Sequence, residues 1–261
     1  MPRVCVLVPF PLDEEAVANR RRQQRSVKLS PDVELEYKPV KASPALLDSY
    51  HDYALADLSM LEVGLEAAEE GFDAICLDTM SDSGAGPLRS ILDIPVVAPG
   101  RASYLTALML GNSFSVLTQW DGWIPAYIKG VTEARLDDHL TSIRSINMMP
   151  DLENLLGGKE DVVFPRLREE GMQCVEDGAE VICLGSTTMH DAHGYLSEHL
   201  PVPVINPGPL TYKLAETLLG LGLSQSPRAY PRPQVRKPEL IRAMIAAAAS
   251  SEAAPGDLAT T

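Results

Sequence analysis

Basic residues are scarce in this chain: 22 Lys and Arg stand against 36 Asp and Glu, a formal charge of −14 over 261 residues. A field of that sign repels phosphate backbones, so nucleic acid is not an expected partner. Cysteine is scarce as well. Cys5, Cys76, Cys174 and Cys183 form no CxxC pair and no secretory disulfide framework. Three lie in strand-like apolar runs and Cys174 on a helical stretch, where they read as small buried hydrophobes. No apolar run approaches the ~20 residues that a membrane-spanning helix needs. The N-terminal MPRVCVLVPF is too quickly interrupted for a secretory leader. The expectation is a reduced, cytoplasmic protein with no membrane partner. Neither GxGxxG nor GxxxxGK[ST] occurs, so nucleotide binding has no support, and the serine elbow GxSxG is missing.

What the chain does contain is one segment written twice. Residues 71–100 read GFDAICLDTMSDSGAGPLRSILDIPVVAPG and residues 178–208 read GAEVICLGSTTMHDAHGYLSEHLPVPVINPG. Each copy has a Gly, an apolar run, a Ser/Thr-rich loop, an amphipathic helix and a Pro-led apolar strand. Aligning Ile75-Cys76-Leu77 with Ile182-Cys183-Leu184 puts Thr79 opposite Ser186. The similarity extends outward, because Val6-Leu7-Val8 matches Val116-Leu117-Thr118.

Taken in order, Arg3–Val8 is a continuously apolar, β-branched run of the kind buried on both faces of a parallel sheet. A charged helix is expected over 13–27, a strand over 33–38, and a helix over 52–70 with Leu58, Leu61, Leu65 and Ala68 on its apolar face. Strand 74–77, helix 87–92 and strand 94–97 form the first repeat. Helix 101–111, strand 114–118 and a helix over 121–136 follow; 141–157 has no clear assignment. Helix 161–177 leads into the second repeat, with strand 181–184, a helix from about 190 and strand 202–205. A helix over 210–220, a Pro-rich strap over 224–238, an Ala-rich helix over 239–249 and a disordered tail over 250–261 complete the chain. Alternating strands and helices predict an α/β protein of two pseudo-symmetric lobes, each a mostly parallel sheet flanked by helices, with the site in the cleft between them. Residues 1–100 plus about 207–230 form lobe 1, residues 101–206 form lobe 2, and residues 231–261 form a C-terminal helix and tail.

In such sheets ligands sit at the C-terminal strand ends, here the loops 9–12, 78–86, 118–123 and 185–190. These loops nominate Pro9, Phe10, Met80, Ser81, Thr118, Thr187 and Thr188 as substrate contacts, with Tyr127 as a wall of the pocket. The GSTTMH loop offers hydroxyls and free helix-start N–H groups that suit a carboxylate or oxyanion, although Ser and Thr also stand before helices as simple caps. His190 is a candidate acid/base group or a solvated helix-start residue. Asp78 follows an apolar strand, where burial can turn it into a base, or it caps the next turn. His190, Asp191 and His193 have no third ligand in view, so no metal is expected. Arg20-Arg21-Arg22 reads as a solvated helix face.

The doubled strand–loop–helix unit, the IPVV segment and FSVLT resemble the aspartate/glutamate/hydantoin racemase superfamily, most closely its hydantoin racemase branch, over nearly the whole chain. The resemblance implies two pseudo-symmetric α/β lobes around a small substrate and proton transfer by one cysteine per lobe without a cofactor. It places those cysteines at Ser186 and, by spacing to Leu88-Arg89, at Thr79; a two-residue shift would give Leu77. A hydroxyl does not ionise near neutrality as a thiol does. The expected function is therefore a cofactor-independent racemase or isomerase of a small carboxylate or cyclic amide, with Thr79, Ser186, His190 and Asp78 as its catalytic group. A carbon–carbon lyase or decarboxylase, a Ser186-dependent hydrolase and a non-catalytic acid-binding protein stand as alternatives. Dimers are common in the superfamily, which leaves a homo-oligomer open.

Overall fold

The structure, a computed structural model, describes residues 1–149 and 160–252. Two four-stranded, wholly parallel sheets organise it. The first runs β2 (Glu34–Pro39), β1 (Arg3–Val8), β3 (Ala74–Leu77), β4 (Val96–Val97); the second runs β6 (Leu140–Ser145), β5 (Phe114–Thr118), β7 (Val181–Leu184), β8 (Val204–Ile205). The same order in both sheets is the spatial form of the sequence repeat. Register agrees as well: Val4 to Leu7 pair with Ala74 to Leu77, and Phe114 to Leu117 pair with Val181 to Leu184.

The central strands are mostly apolar, and buried along nearly their whole length, because both faces are covered; the buried polar exceptions are Ser115 and Thr118 of β5. On the first sheet Cys5, Leu7, Ile75 and Leu77 face α2 (Tyr50–Glu69) and α3 (Ala85–Ile91). Val4, Val6, Val8 and Cys76 face the other way, toward Val17 of α1 (Glu14–Arg21) and toward Tyr212 and Ala215 of α8 (Pro207–Gly220). On the second sheet Leu117, Ile182 and Leu184 meet α6 (Glu160–Glu176) and α7 (His190–His199). Phe114, Val116, Val181 and Cys183 meet α4 (Pro99–Leu110) and α5 (Ile124–Ala134). This strict alternation follows from the two-residue period of a strand.

Two expectations need adjusting. The helix foreseen over 13–27 is α-helical to Arg21 and then tightens into a 3₁₀ turn over Arg22–Ser26. The buried stripe of α2 is Ala56, Met60, Val63 and Ala67 together with Leu65, which is buried as expected, while Leu58 and Leu61 are only partly covered. Leu61 and Ala68 lie at the edge of the stripe, packed against the core together with Ile241 of α9 (Pro238–Glu252). A helix touched on several sides has no single apolar face, so periodicity locates its stripe poorly.

The region left open around 141 holds β6, whose sequence LTSIRS is half-exposed throughout. Edge strands carry such polar sequences and give little signal. Residues 150–159 and 253–261 lie outside the described residues; of the tail expected from 250, residues 250–252 instead extend α9 (Pro238–Glu252).

The strap is pinned on the β4 edge. Gln225 donates through Nε2 to the carbonyls of Leu92 (2.8 Å) and Ile94 (2.9 Å) and accepts through Oε1 from the Val96 N–H (3.2 Å). A side-chain amide thereby takes part of the place of a fifth strand. Among the described residues no helix is long and apolar enough to cross a membrane.

Candidate active site

The two repeat loops meet at the C-terminal ends of β3 and β7, around a small cavity of about 60 Å³. Asp78, Thr79, Met80 and Ser81 line it from the first loop; Gly185, Ser186, Thr187 and Thr188 line it from the second. Pro9 and Phe10, after β1, and Tyr127, on α5, also line it, whereas Thr118 and His190 of the set expected from sequence do not.

The loops share the same pair of bonds at their first hydroxyl. Thr79 Oγ1 accepts from the Ser81 N–H (3.4 Å) and shares a hydrogen bond with Ser81 Oγ (2.9 Å). Ser186 Oγ accepts from the Thr188 N–H (3.2 Å) and shares one with Thr188 Oγ1 (2.7 Å). Each loop therefore presents a hydroxyl fixed by the residue two places on, the local geometry that Ser and Thr favour before helices. A direct stitch joins the loops, since Thr187 Oγ1 donates to the Asp78 carbonyl at 3.3 Å.

Thr118 does not line the cavity. It is fully buried and bonds Tyr127 Oη at 2.7 Å, and Tyr127 donates in turn to the Gly185 carbonyl, also at 2.7 Å. Thr118 thus works one layer back, holding the ring that holds the second loop. Gly185 has no alternative there, because an added Cβ would stand 2.7 Å from Thr118 Cβ and 2.8 Å from Tyr127 Oη.

His190 also departs from expectation. It opens α7 but is not among the cavity-lining residues; its side chain is only 11% exposed, and among the described residues neither ring nitrogen makes a hydrogen bond, although Nε2 lies 3.5 Å from Asp191 Oδ1. Burial lowers its pKa from the ordinary histidine value, opposed by the nearby carboxylates of Asp191 and Asp78. A histidine lowered in the fold is protonated first in the unfolded chain. Stability is therefore expected to be flat above pH about 6.5, the unfolded histidine value, and to fall as the pH drops below it. Thermal melts of wild type and His190→Asn between pH 7.5 and 5 test this; equal acid slopes would refute it.

Asp78 sits beside the cavity, yet its side chain is sealed at 0% exposure. Oδ2 pairs with Arg20 Nη1 at 3.1 Å, and Oδ1 accepts from Gln23 Nε2 at 3.2 Å. With both oxygens engaged and its side chain sealed, the carboxylate faces Arg20 and Gln23. Arg20 is therefore no solvated helix residue. It lines the cavity, as do Leu47, Trp123 and Ala126, which are apolar walls. Sequence reasoning missed Arg20 because three consecutive arginines carry no sign of which one turns inward. The buried neighbour that marks the inward turn is Gln23, which the 3₁₀ turn buries completely.

None of the four cysteines is a cavity residue. Cys76 and Cys183 point into the core three residues before Thr79 and Ser186, and burial raises both thiols, that of Cys76 to about 12. Among the described residues no group of three His, Cys, Asp or Glu side chains is placed to hold a metal ion.

Known proteins share this architecture. The family profile described as Asp/Glu/Hydantoin racemase matches residues 15–215. A hydantoin racemase from Pseudomonas sp. (strain NS671) is 30% identical over 228 residues, 86% of each chain. The solved allantoin racemase from Pseudomonas fluorescens superposes with a TM-score of 0.79 at 26% identity, covering 90% of this chain and 98% of that one. The allantoin racemase from Klebsiella pneumoniae superposes with a TM-score of 0.81 at 22% identity, over 90% and 95% of the two chains. The chain belongs to the Asp/Glu/hydantoin racemase family and is an isomerase of the racemase type.

Proposed function

We propose that the protein racemises a small cyclic amide of the hydantoin type, or a small carboxylate, without a cofactor, inside the cavity between the two repeat loops. The observation that carries this reading is the matched pair of hydroxyls, Thr79 and Ser186, one on each of two loops and each held by the same pair of hydrogen bonds. Racemisation needs a group on each face of the substrate carbon, one to take the proton and one to return it. Two equivalent loops, one from each sheet, supply that two-sidedness.

The named relatives act on hydantoins and allantoin, rings in which a carbonyl adjoins the C–H bond. Removing that proton moves its electron pair onto the carbonyl oxygen. The planar intermediate regains a proton from either side. The cavity suits a flat, small ring: Phe10, Leu47, Met80, Trp123 and Ala126 provide apolar contact, and the loop hydroxyls provide donors. The hydrolase alternative has no support in the geometry, since Ser186 bonds Thr188 and His190 bonds neither.

Proton exchange tests the reading. In deuterated buffer, enantiopure 5-substituted hydantoins should lose the ring C–H signal by NMR and lose optical rotation, with no new product. Ser186→Ala should slow both by about 10²-fold or more, the usual effect of losing one placed hydrogen-bond donor at the reacting centre. Unchanged rates in both Ser186→Ala and Thr79→Ala would overturn it.

A further inference from the structure

The cavity holds two charged residues among its described lining, Arg20 and Asp78, and they are paired with each other. Asp78 is saturated. Arg20 is not: Nη1 is spent on Asp78, whereas Nε and Nη2 make no hydrogen bond to any described residue and are not sealed from solvent. Its side chain is 12% exposed, and it lines the cavity. A guanidinium with one edge anchored and further donors free is a preorganised hydrogen-bond donor.

The anchoring is deep. Gln23, fully buried, bridges Asp78 to Tyr212, whose Oη donates to Gln23 Oε1 at 3.3 Å; Tyr37 Oη donates to Tyr212 Oη at 2.8 Å. Gly208, at the start of α8, leaves the space for this chain, because a Cβ there would collide with Gln23 Oε1. Four side chains from β2, α8, the 3₁₀ turn and the β3 end thus fix the orientation of one arginine. Surface arginines do not need such support.

From this we infer that Arg20 is the catalytic oxyanion donor of the reaction, and that Asp78, Gln23, Tyr212 and Tyr37 are its positioning residues. The assignment rests on the racemase reading above and adds a residue to it. When the ring C–H bond breaks, a solvent hydroxide held at one loop hydroxyl takes the proton and becomes water, and the electron pair settles on the adjacent carbonyl oxygen. Water at the other loop returns a proton and regenerates the hydroxide. A free Arg20 N–H donates to that oxygen. When the carbon is reprotonated from the other face, the pair returns and the carbonyl reforms. Asp78 balances the arginine's charge, so a neutral ring enters a locally neutral cavity. The donor strengthens its bond only as negative charge develops on the oxygen.

Arg20→Met, Arg20→Lys, Asp78→Asn and the double variant Arg20→Met/Asp78→Asn test this. Arg20→Met should lower kcat for hydantoin racemisation by about 10²–10³-fold, as loss of one oxyanion donor does. KM should change little, because the interaction belongs to the transition state. Arg20→Lys keeps the charge without the fork and should fall between.

The double variant separates this role from a structural one. If Arg20 merely neutralises Asp78, removing both charges restores the rate and the assignment is wrong; if it serves the substrate, the double variant stays as slow as Arg20→Met.

A second readout does not require turnover. The hydantoin anion formed in alkaline buffer carries delocalised charge on its carbonyl oxygens, and calorimetry should show it binding Arg20→Met at least about tenfold more weakly than wild type, from loss of one charge-assisted hydrogen bond. Equal binding overturns the assignment. An active wild type with an unimpaired Arg20→Met defeats the arginine alone. A wild type that binds the anion through Arg20 yet exchanges no proton defeats the racemase reading alone.

Discussion

The double substitution T79C/S186C is expected to raise the racemisation rate by about 10²-fold or more, within the range a well-matched acid/base pair contributes. A free thiol has a pKa of about 8.5, so a few per cent is thiolate at neutral pH, and it exchanges protons readily. An aliphatic hydroxyl supplies essentially no base at that pH unless a neighbour activates it. Each wild-type hydroxyl is held by another hydroxyl and a backbone N–H, none of which is a base.

Proton removal is therefore the expected slow step, and thiols at the two loop positions act on that step directly. The accompanying signature is a kcat that climbs with pH toward the thiol range in the variant. Stopped-time polarimetry on one enantiopure hydantoin, wild type against variant, decides the matter. A double variant no faster than wild type would mean that these two positions do not carry the proton.

Gly185→Ala is expected to cost stability and activity together. Its Cβ would stand 2.7 Å from Thr118 Cβ, an atom fixed to its backbone, and 2.8 Å from the Tyr127 hydroxyl. Thr118 is fully enclosed and has no room to retreat, and Tyr127 can yield only by giving up its bond to the Gly185 carbonyl. Overpacking of this kind costs about 1–3 kcal/mol. For a chain of this size that lowers Tm by roughly 3–10 °C.

The same change pushes away the Tyr127 hydroxyl that holds the Gly185 carbonyl, one residue before Ser186. A catalytic group displaced by about 1 Å loses about 10²-fold in rate. Melting curves and the exchange assay together read both effects. Full activity in a folded Gly185→Ala would show that the Tyr127 bond does not position the second loop.

Much of the fold was legible because parallel strands buried on both faces leave a strong mark. Arg3–Val8, Ala74–Leu77, Phe114–Thr118 and Val181–Leu184 lie where their continuous apolar runs predict. Thr79 and Ser186 were found as a pair because the repeat aligns them, with no tertiary information needed. β6 was invisible for the opposite reason: an edge strand of LTSIRS is neither continuously apolar nor fully buried.

The site was legible where it follows the chain and illegible where it crosses it. The loop hydroxyls sit directly after strands and could be listed by position. Thr118 and His190 obey the same positional rule, yet one supports Tyr127 from behind and the other turns into the interior. The direction of a single side chain depends on what packs beside it, which local sequence does not encode.

Sequence alone determined the doubled α/β plan, through strand periodicity and internal repetition, and the two matched hydroxyl loops that follow from it. Tertiary structure alone decided that Arg20 leaves the surface to meet Asp78, 58 positions away. Changing from α-helix to 3₁₀ turn at Arg22 buries Gln23 against Asp78 and Tyr212. An ion pair of that span forms only because two packed elements bring its ends together, and no pattern within either segment announces it.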